Sequence, residues 1–366
     1  MTRVLSNICT PKLPTEVDGI VVPLDVAKVI PCKLLSLSIA KIKSVSMNLN
    51  NEIILFEYFT AQSCHGEDYN KKIFKEAQKL SDSVILLFLR NKKLKKIHVI
   101  RNHKLRKIKD KRIFYHKPNK NLTFNKILNK VKTKKLILIA PESHKINLKI
   151  ASKLKKSFDL LNSDYETLKI FSSKKKTFNI LKKKKILVVK NEKEICNNSN
   201  KLFVNKPEYG AGSENIHLIN EDSQKKESII QEYYPGVKGS FSMLCQKKKM
   251  VLLSCSKQII EIRNRKISQK GIIIGGTEEY REQIINLANK IVKNFPTLFG
   301  FVGVDFVIIK NSLHVIEINA RFTSSLLGLQ EAYGDSVTKK ISDLYLTKVF
   351  DKKKIKLKEI TTVYLN

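Results

Sequence analysis

Apolar and polar positions along this chain fall into two rhythms. The short apolar runs EIILFEYF (52–59), VILLFL (84–89), KIHVI (96–100) and KLILIA (135–140) have the length and composition of buried strands. Helix-compatible stretches separate some of them, so residues 47–160 are expected to form a small α/β domain around a parallel sheet. APES closes the last run and leads into an expected helix at about 145–156. The lysine-dense SSKKKTFNILKKKKILVVK (172–190) predicts a helix from Ser173 to about Lys183, with serine as N-cap, and then a strand at 185–189. LFVNKP, ENIHLI, SIIQEYY, GSFSMLC and MVLLSC follow as strands between glycine or charged turns. Ile284, Leu287, Ala288, Ile291 and Val292 recur at helical spacing and predict a helix over about 278–294. GFVGVDFVIIK and SLHVIEINAR are two further strands, with a helix expected from about Ser324 and no internal repeat.

The first 46 residues carry no such rhythm. They lack a basic start and contain Glu16, Asp18 and Asp25, which argues against a secretory signal. The expectation is that translation starts at Met47, ahead of NLNNEIILFEYFT; a weakly ordered N-terminal arm is the alternative.

Composition changes this outline little. A chain of 366 residues can hold two or three domains with cores of their own. Its 70 basic and 33 acidic residues give a formal charge of +37, which raises a nucleic-acid or anionic-membrane reading. Only nine of the basic residues are arginine, whereas readers of bases and phosphates lean on arginine forks. Lysine, asparagine and isoleucine are abundant throughout, so compositional drift on solvated faces is favoured and nucleic acid is the runner-up. No apolar run approaches the roughly 18 residues of a membrane helix, and no membrane partner is expected. The six cysteines form no CxxC pair and no zinc-like spacing with histidine, and are expected to be reduced thiols of a cytoplasmic protein.

Candidate chemistry begins in KLFVNKPEYGAGSENIHLI, where Lys206 precedes Gly210, Gly212 and Ser213 between two apolar runs. No Gly-Lys-Ser/Thr closes the loop and no helix follows, so it is neither a Walker loop nor a dinucleotide fingerprint. Strand, glycine loop, strand makes a flap whose amides can approach phosphate oxygens, with Lys206 as a point charge. An ordinary hairpin explains a lone Gly-x-Gly equally well. In SIIQEYYPG, Gln231, Glu232 and Tyr234 end a strand at a Pro-Gly break, where free backbone groups suit an adenine edge or merely cross between domains.

FVGVDFVII and LHVIEIN flank KNS as a natural turn. Centring the turn on Asn311 sets Asp305 directly across from Glu317, about 5 Å apart at Cα, with Asn319 next on that face. Opposed like charges would destabilise a sheet unless something sits between them. The neighbours Val304, Phe306, Ile316 and Ile318 are all apolar, so this is no casually solvated face. Two carboxylates and an amide oxygen suit a hard divalent cation such as Mg2+, with Mn2+ as a substitute. Arg321 just beyond could neutralise a transferring phosphoryl group.

Together NKPEYGAGSE, QEYYPG, GVDF and EINAR resemble the ATP-grasp superfamily of carboxylate–amine ligases over roughly residues 52–345. The resemblance implies an ATP-grasp fold of mixed α/β and α+β class. Its parts would be an extension (1–46), an N-terminal α/β domain (47–160), a central lid (161–235), a C-terminal α+β metal-binding part (236–350) and a tail (351–366). It further implies that Lys174 and Lys206 hold ATP phosphates, that Gln231, Glu232 and Tyr234 border adenine, and that Asp305, Glu317 and Asn319 hold Mg2+. Arg321 would contact the phosphoryl or acyl-phosphate group. Ser173 stands where the family carries an acid, and Ala320 where it carries proline.

ILFEYFT, KPEYGAGSE and EINARFTSSLLGL look most like the tyramine–L-glutamate ligase branch of methanofuran biosynthesis. That implies joining a glutamate carboxylate to tyramine or a related aryl amine, both small molecules, with Gln258 and Gly276 near the acceptor. An ATP-grasp ligase or carboxylase-like enzyme with other substrates is the alternative.

Overall fold

A computed structural model describes residues 51–61, 71–118, 124–191, 201–220 and 228–365; the segment 1–46 and the expected start at Met47 lie outside them. The first strand, β1 (Glu52–Glu57), sits mid-way in a five-stranded parallel sheet with β2 (Lys96–Ile100), β3 (Ile113–His116), β4 (Lys135–Ile139) and β5 (Asp159–Leu160), in the order β3-β2-β1-β4-β5. Both faces of this sheet are covered. Ile53, Leu55, Ile137 and Ile139 pack against α1 (Lys71–Leu89), whereas Ile54, Phe56, Leu136 and Leu138 share a cluster with the short α2 (Phe124–Asn129) and with α3 (Ile146–Leu154). Burial on two faces explains the unbroken apolar runs of β1 and β4.

The structure corrects the expected strand at 84–89. VILLFL is the last part of the helix α1, and Ala77, Leu80, Val84 and Phe88 line its buried stripe. A short apolar run fits a buried helix as well as a strand. The expected strand at 185–189 is reduced to an isolated parallel bridge between Val188 and Val315. Before it come α4 (Tyr165–Phe171) and α5 (Lys174–Lys183), the latter capped by the Ser173 side chain, which accepts from the Lys176 N–H.

The rest of the chain builds a nine-stranded sheet, antiparallel throughout. Its path is β13-β12-β9-β10-β11-β7-β6-β8, drawn from β6 (Phe203–Pro207), β7 (His217–Ile219), β8 (Ser228–Glu232), β9 (Lys238–Gln246), β10 (Lys249–Arg263), β11 (Lys266–Ile274), β12 (Gly300–Ile309) and β13 (Ser312–Asn319). One face is covered by α6 (Arg281–Asn294) through Ile284, Ala288 and Ile291, and a single 3-10 turn precedes that helix at Glu278–Tyr280. On the other face lie α7 (Leu329–Tyr333) and α8 (Asp335–Thr347), reached through a 3-10 turn at Ser324–Gly328. Residues 351–366, expected as a tail, contain β14 (Thr361–Tyr364), which pairs with β11. Among the described residues, no helix is long and apolar enough to cross a membrane. Cys245 and Cys255 are buried free thiols.

Candidate active site

The floor of the site is the β12–β13 hairpin. Asp305 and Glu317 are register partners, and Asn319 pairs with Gly303 one step further along the same face. The turn, however, is not centred on Asn311. Lys310 and Asn311, with φ of 46° and 60°, form a two-residue turn of the primed kind, and Ile309 pairs with Ser312. A bulge between Asp305 and Phe306, with Ile316 as the extra residue, moves the register by one. The two departures cancel, and the carboxylates face each other as expected.

The two carboxyl groups respond differently to their surroundings. Burial and the neighbouring Glu317 push Asp305 well above the usual carboxylate range. Burial alone would raise Glu317 too, but the ammoniums of Lys174 and Lys206 outweigh it and hold the group near 2. Lys174 Nζ lies 3.1 Å from Glu317 Oε2 and donates to the carbonyl of Gly210 at 2.8 Å. Lys206 is buried on β6; burial and Lys174 push its ammonium down to about 8. The Asn319 amide donates to Glu317 Oε1 at 3.2 Å and Asp305 Oδ2 at 3.4 Å, and Gln258 donates to Asp305 Oδ1 at 2.9 Å.

This donor set fits a hard divalent cation. Two half-buried carboxylates are held together against their repulsion, and the amide between them also carries an oxygen. Among the described residues, no group of three or more His, Cys, Asp or Glu side chains is placed to hold a metal. Asp305, Glu317 and Asn319 would therefore leave part of a cation's coordination to water and phosphate, the manner in which Mg2+ is usually held.

Above the floor lies a cavity of about 570 Å³, within the range of small-molecule sites. The glycine flap forms one wall: β6 and β7 pair as a hairpin, with Gly212 and Ser213 at φ of 66° and 58° in its loop. Both residues and Gly210 line the cavity. The end of β8 forms another wall. Buried Gln231 donates to the Val189 carbonyl at 3.3 Å, and the Tyr234 hydroxyl donates to Glu232 Oε2 at 2.6 Å. Lys201 pairs with the other oxygen of Glu232 at 3.0 Å. Some backbone groups expected to meet a base edge are engaged: the Glu232 N–H donates to the Lys190 carbonyl, and Lys238 Nζ donates to the Tyr234 carbonyl.

Every site residue singled out from the sequence lines this cavity except Gly276, which lies outside it beside Lys257 and Ile273 at the end of β11. Two further carboxylates belong to the site and lie in no motif of the sequence. Glu142, in the loop after β4, grips Arg321 at two points, Oε1 to Nε at 2.9 Å and Oε2 to Nη2 at 2.7 Å. Burial alone would weaken the arginine's hold on its proton, but this partner raises it. Glu76, on α1, lines the cavity and accepts from the Ser324 hydroxyl at 2.6 Å. The one local hint of Glu142 is its place at the carboxyl end of a parallel strand, where open α/β sheets bind ligands. Glu76 has no such hint.

The fold and this floor of opposed acids beneath a glycine flap define a class. Residues 171–325 match the family model described as ATP-grasp domain. The chain has the ATP-grasp fold: it superposes on an ATP-grasp superfamily protein from Archaeoglobus fulgidus with a TM-score of 0.64 at 22% identity, covering 83% of this chain and 90% of that one. It also superposes on an L-amino acid ligase from Bacillus licheniformis with a TM-score of 0.53 at 16% identity, covering 81% and 73%. ATP-grasp enzymes use ATP and a divalent metal, and one structural neighbour, a biotin carboxylase domain from Hydrogenobacter thermophilus, was solved with MgADP.

In sequence the chain is 27% identical over 315 residues to tyramine–L-glutamate ligase of Methanocaldococcus jannaschii, covering 81% of this chain and 89% of that protein. The ligase of the same name from Methanocaldococcus fervens matches at 35% over 106 residues, a third of its length. The chain carries an ATP-grasp domain over residues 171–325.

Proposed function

We propose that the protein is an ATP- and Mg2+-dependent ligase that joins a carboxylate of glutamate to tyramine or a related aryl amine through an acyl phosphate. The observation that carries the ligase chemistry is the Asp305–Glu317 pair, opposed and half-buried beside Lys174 and Lys206 on the floor of a flap-covered cavity. The choice of substrates is supported by the likeness to tyramine–L-glutamate ligase over 81% of the chain.

In this reading Lys174, Lys206 and the amides of Gly210, Gly212 and Ser213 hold the ATP phosphates, and Gln231, Glu232 and Tyr234 border the adenine. Asp305, Glu317 and Asn319 would hold Mg2+, which supplies charge neutralisation between the phosphates when bound. Gln258 steadies Asp305 rather than the acceptor, and Gly276 takes no part. The substrate carboxylate attacks the γ-phosphorus, ADP leaves, and the amine displaces phosphate from the acyl carbon. Arg321 faces the charge that grows on the transferring group. No side-chain nucleophile is required, since positioning and charge neutralisation carry the rate.

The test is ADP release with ATP, Mg2+, glutamate and tyramine, each omitted in turn. Release should need all four and should yield one amide per ADP. Amide formation with other amines but none with tyramine would overturn the substrate assignment, and no ADP release with any carboxylate and amine would overturn the ligase reading.

A further inference from the structure

An amine nucleophile enters this site as an ammonium ion, and the bases over the hairpin repel it. Lys174, Lys206 and Arg321 all line the space over the hairpin, in a chain whose formal charge is +37. A cation approaching the acyl carbon therefore needs a local carboxylate that is not already engaged by a base.

The carboxylates that line the cavity or touch its bases can be sorted by partner. Asp305 and Glu317 face Lys174 and Lys206. Glu232 is tied to Lys201 and Tyr234, and Glu142 is consumed by Arg321. Glu214 sits out on the flap, where His144 and Lys266 draw on its charge. Glu76 differs from all of these. Among the described residues its hydrogen-bond partner is a neutral hydroxyl, that of Ser324; Arg321 feels its charge but makes its ion pair with Glu142 instead.

Its position is as telling as its lack of a cation. The helix α1 runs beneath the flap, since Ile73, one turn before Glu76, comes within 4.0 Å of where a Cβ on Gly212 would lie. Ser324 follows Arg321 by three residues, and Glu76 is close enough to help keep Arg321 charged. Glu76 thus stands between the flap and the arginine, beside the reacting end of the site, where the attacking nitrogen must come.

We propose that Glu76 receives the ammonium group of the amine acceptor and positions its nitrogen beside the acyl carbon, where the group loses one proton to solvent before the free amine attacks, and so selects primary amines that are charged at neutral pH. This inference rests on the ligase reading above. Ser324 holds one carboxylate oxygen in place and leaves the other for the substrate. A charge-assisted contact of this kind is stronger than a neutral one.

The experiment uses the full chain and the Glu76→Gln variant, whose amide can still accept from Ser324. Steady-state rates are measured with tyramine, and in parallel with hydroxylamine, which is uncharged at neutral pH and traps acyl phosphates as hydroxamates. The expected result is a rise of at least tenfold in KM for tyramine. KM for ATP and for glutamate should move less than twofold, and the amide-to-hydroxamate ratio should fall at least tenfold. Thermal melting checks that the variant is folded, and Glu76→Asp should recover part of the tyramine KM. An unchanged ratio, or a rise in the glutamate KM in place of the tyramine KM, would overturn the assignment. Absence of both amide and hydroxamate in the unsubstituted protein would overturn the ligase reading and this inference with it.

Discussion

Arg321 and Glu142 are 179 residues apart in the chain and meet in a two-point ion pair, with separations of 2.9 and 2.7 Å. The arginine ends the acidic hairpin and the glutamate follows a strand of the parallel sheet, so the pair ties the N-terminal sheet to the site floor. Glu142→Gln should leave the guanidinium half-gripped. Breaking a buried ion pair from one side costs about 3 kcal/mol or more, and a misplaced arginine loses transition-state contact. Turnover should fall about tenfold or more with ATP affinity little changed, because the arginine's partner charge grows only during the reaction. Wild-type turnover in this variant would show that Arg321 needs no anchor.

Asp305 and Glu317 oppose each other at a cost in the absence of a cation. Asp305→Asn removes one of the two charges and should stabilise the metal-free protein by about 1 kcal/mol, a stability gained at the expense of function. The same change should lower ADP release by about a hundredfold, comparable to losing one preorganised electrostatic contact. Melting in EDTA and ADP release in Mg2+ measure the two effects. A variant that melts lower in EDTA would contradict the repulsion argument.

Glu57 offers a pH dependence away from the site. It is buried at the end of β1, and burial lifts its carboxyl from 4.5 to about 7 despite N–H bonds from Thr60 and Phe59. Between about 4.5 and 7 the folded state binds more protons than the unfolded one, so stability falls as pH rises through that window. The penalty is absent below it and complete above it. Urea unfolding at pH 5, 6, 7 and 8 should show Glu57→Gln gaining on the parent as pH rises. A constant difference across the series would mean that Glu57 does not titrate there.

Gly300 opens β12 at φ of 76°, and a Cβ there would strike the Tyr345 hydroxyl. That hydroxyl accepts from the Phe301 N–H at 2.8 Å, so it cannot simply swing away. Gly300→Ala should cost about 2 kcal/mol or more, combining left-handed strain with overpacking. Adding Tyr345→Phe removes the struck atom and should return part of the loss, which the melting temperatures of the single and double variants would reveal.

The hairpin that carries the acids is legible in the residue pattern alone, whereas the position of its turn is not. An extra residue at Ile316 compensates for the two-residue turn at Lys310 and Asn311. Pairing parity survives because a strand that buries one face tolerates no net slip. VILLFL suggests a strand only when the run is taken in isolation. The wider spacing of Ala77, Leu80, Val84 and Phe88 carries the helical period.

What the chain's order of residues determined by itself is local: which face of a strand a side chain takes, where a serine caps a helix, where glycines free a loop. Those rules act over a few residues, and they placed Asp305, Glu317, Asn319 and the flap. Tertiary structure alone decided that Glu142 grips Arg321 and that Glu76 meets Ser324, contacts that span 179 and 248 residues. Such pairs have no period and no spacing to betray them. They exist because two separately formed sheets pack along shared apolar faces and bring their strand ends and helices over one cavity.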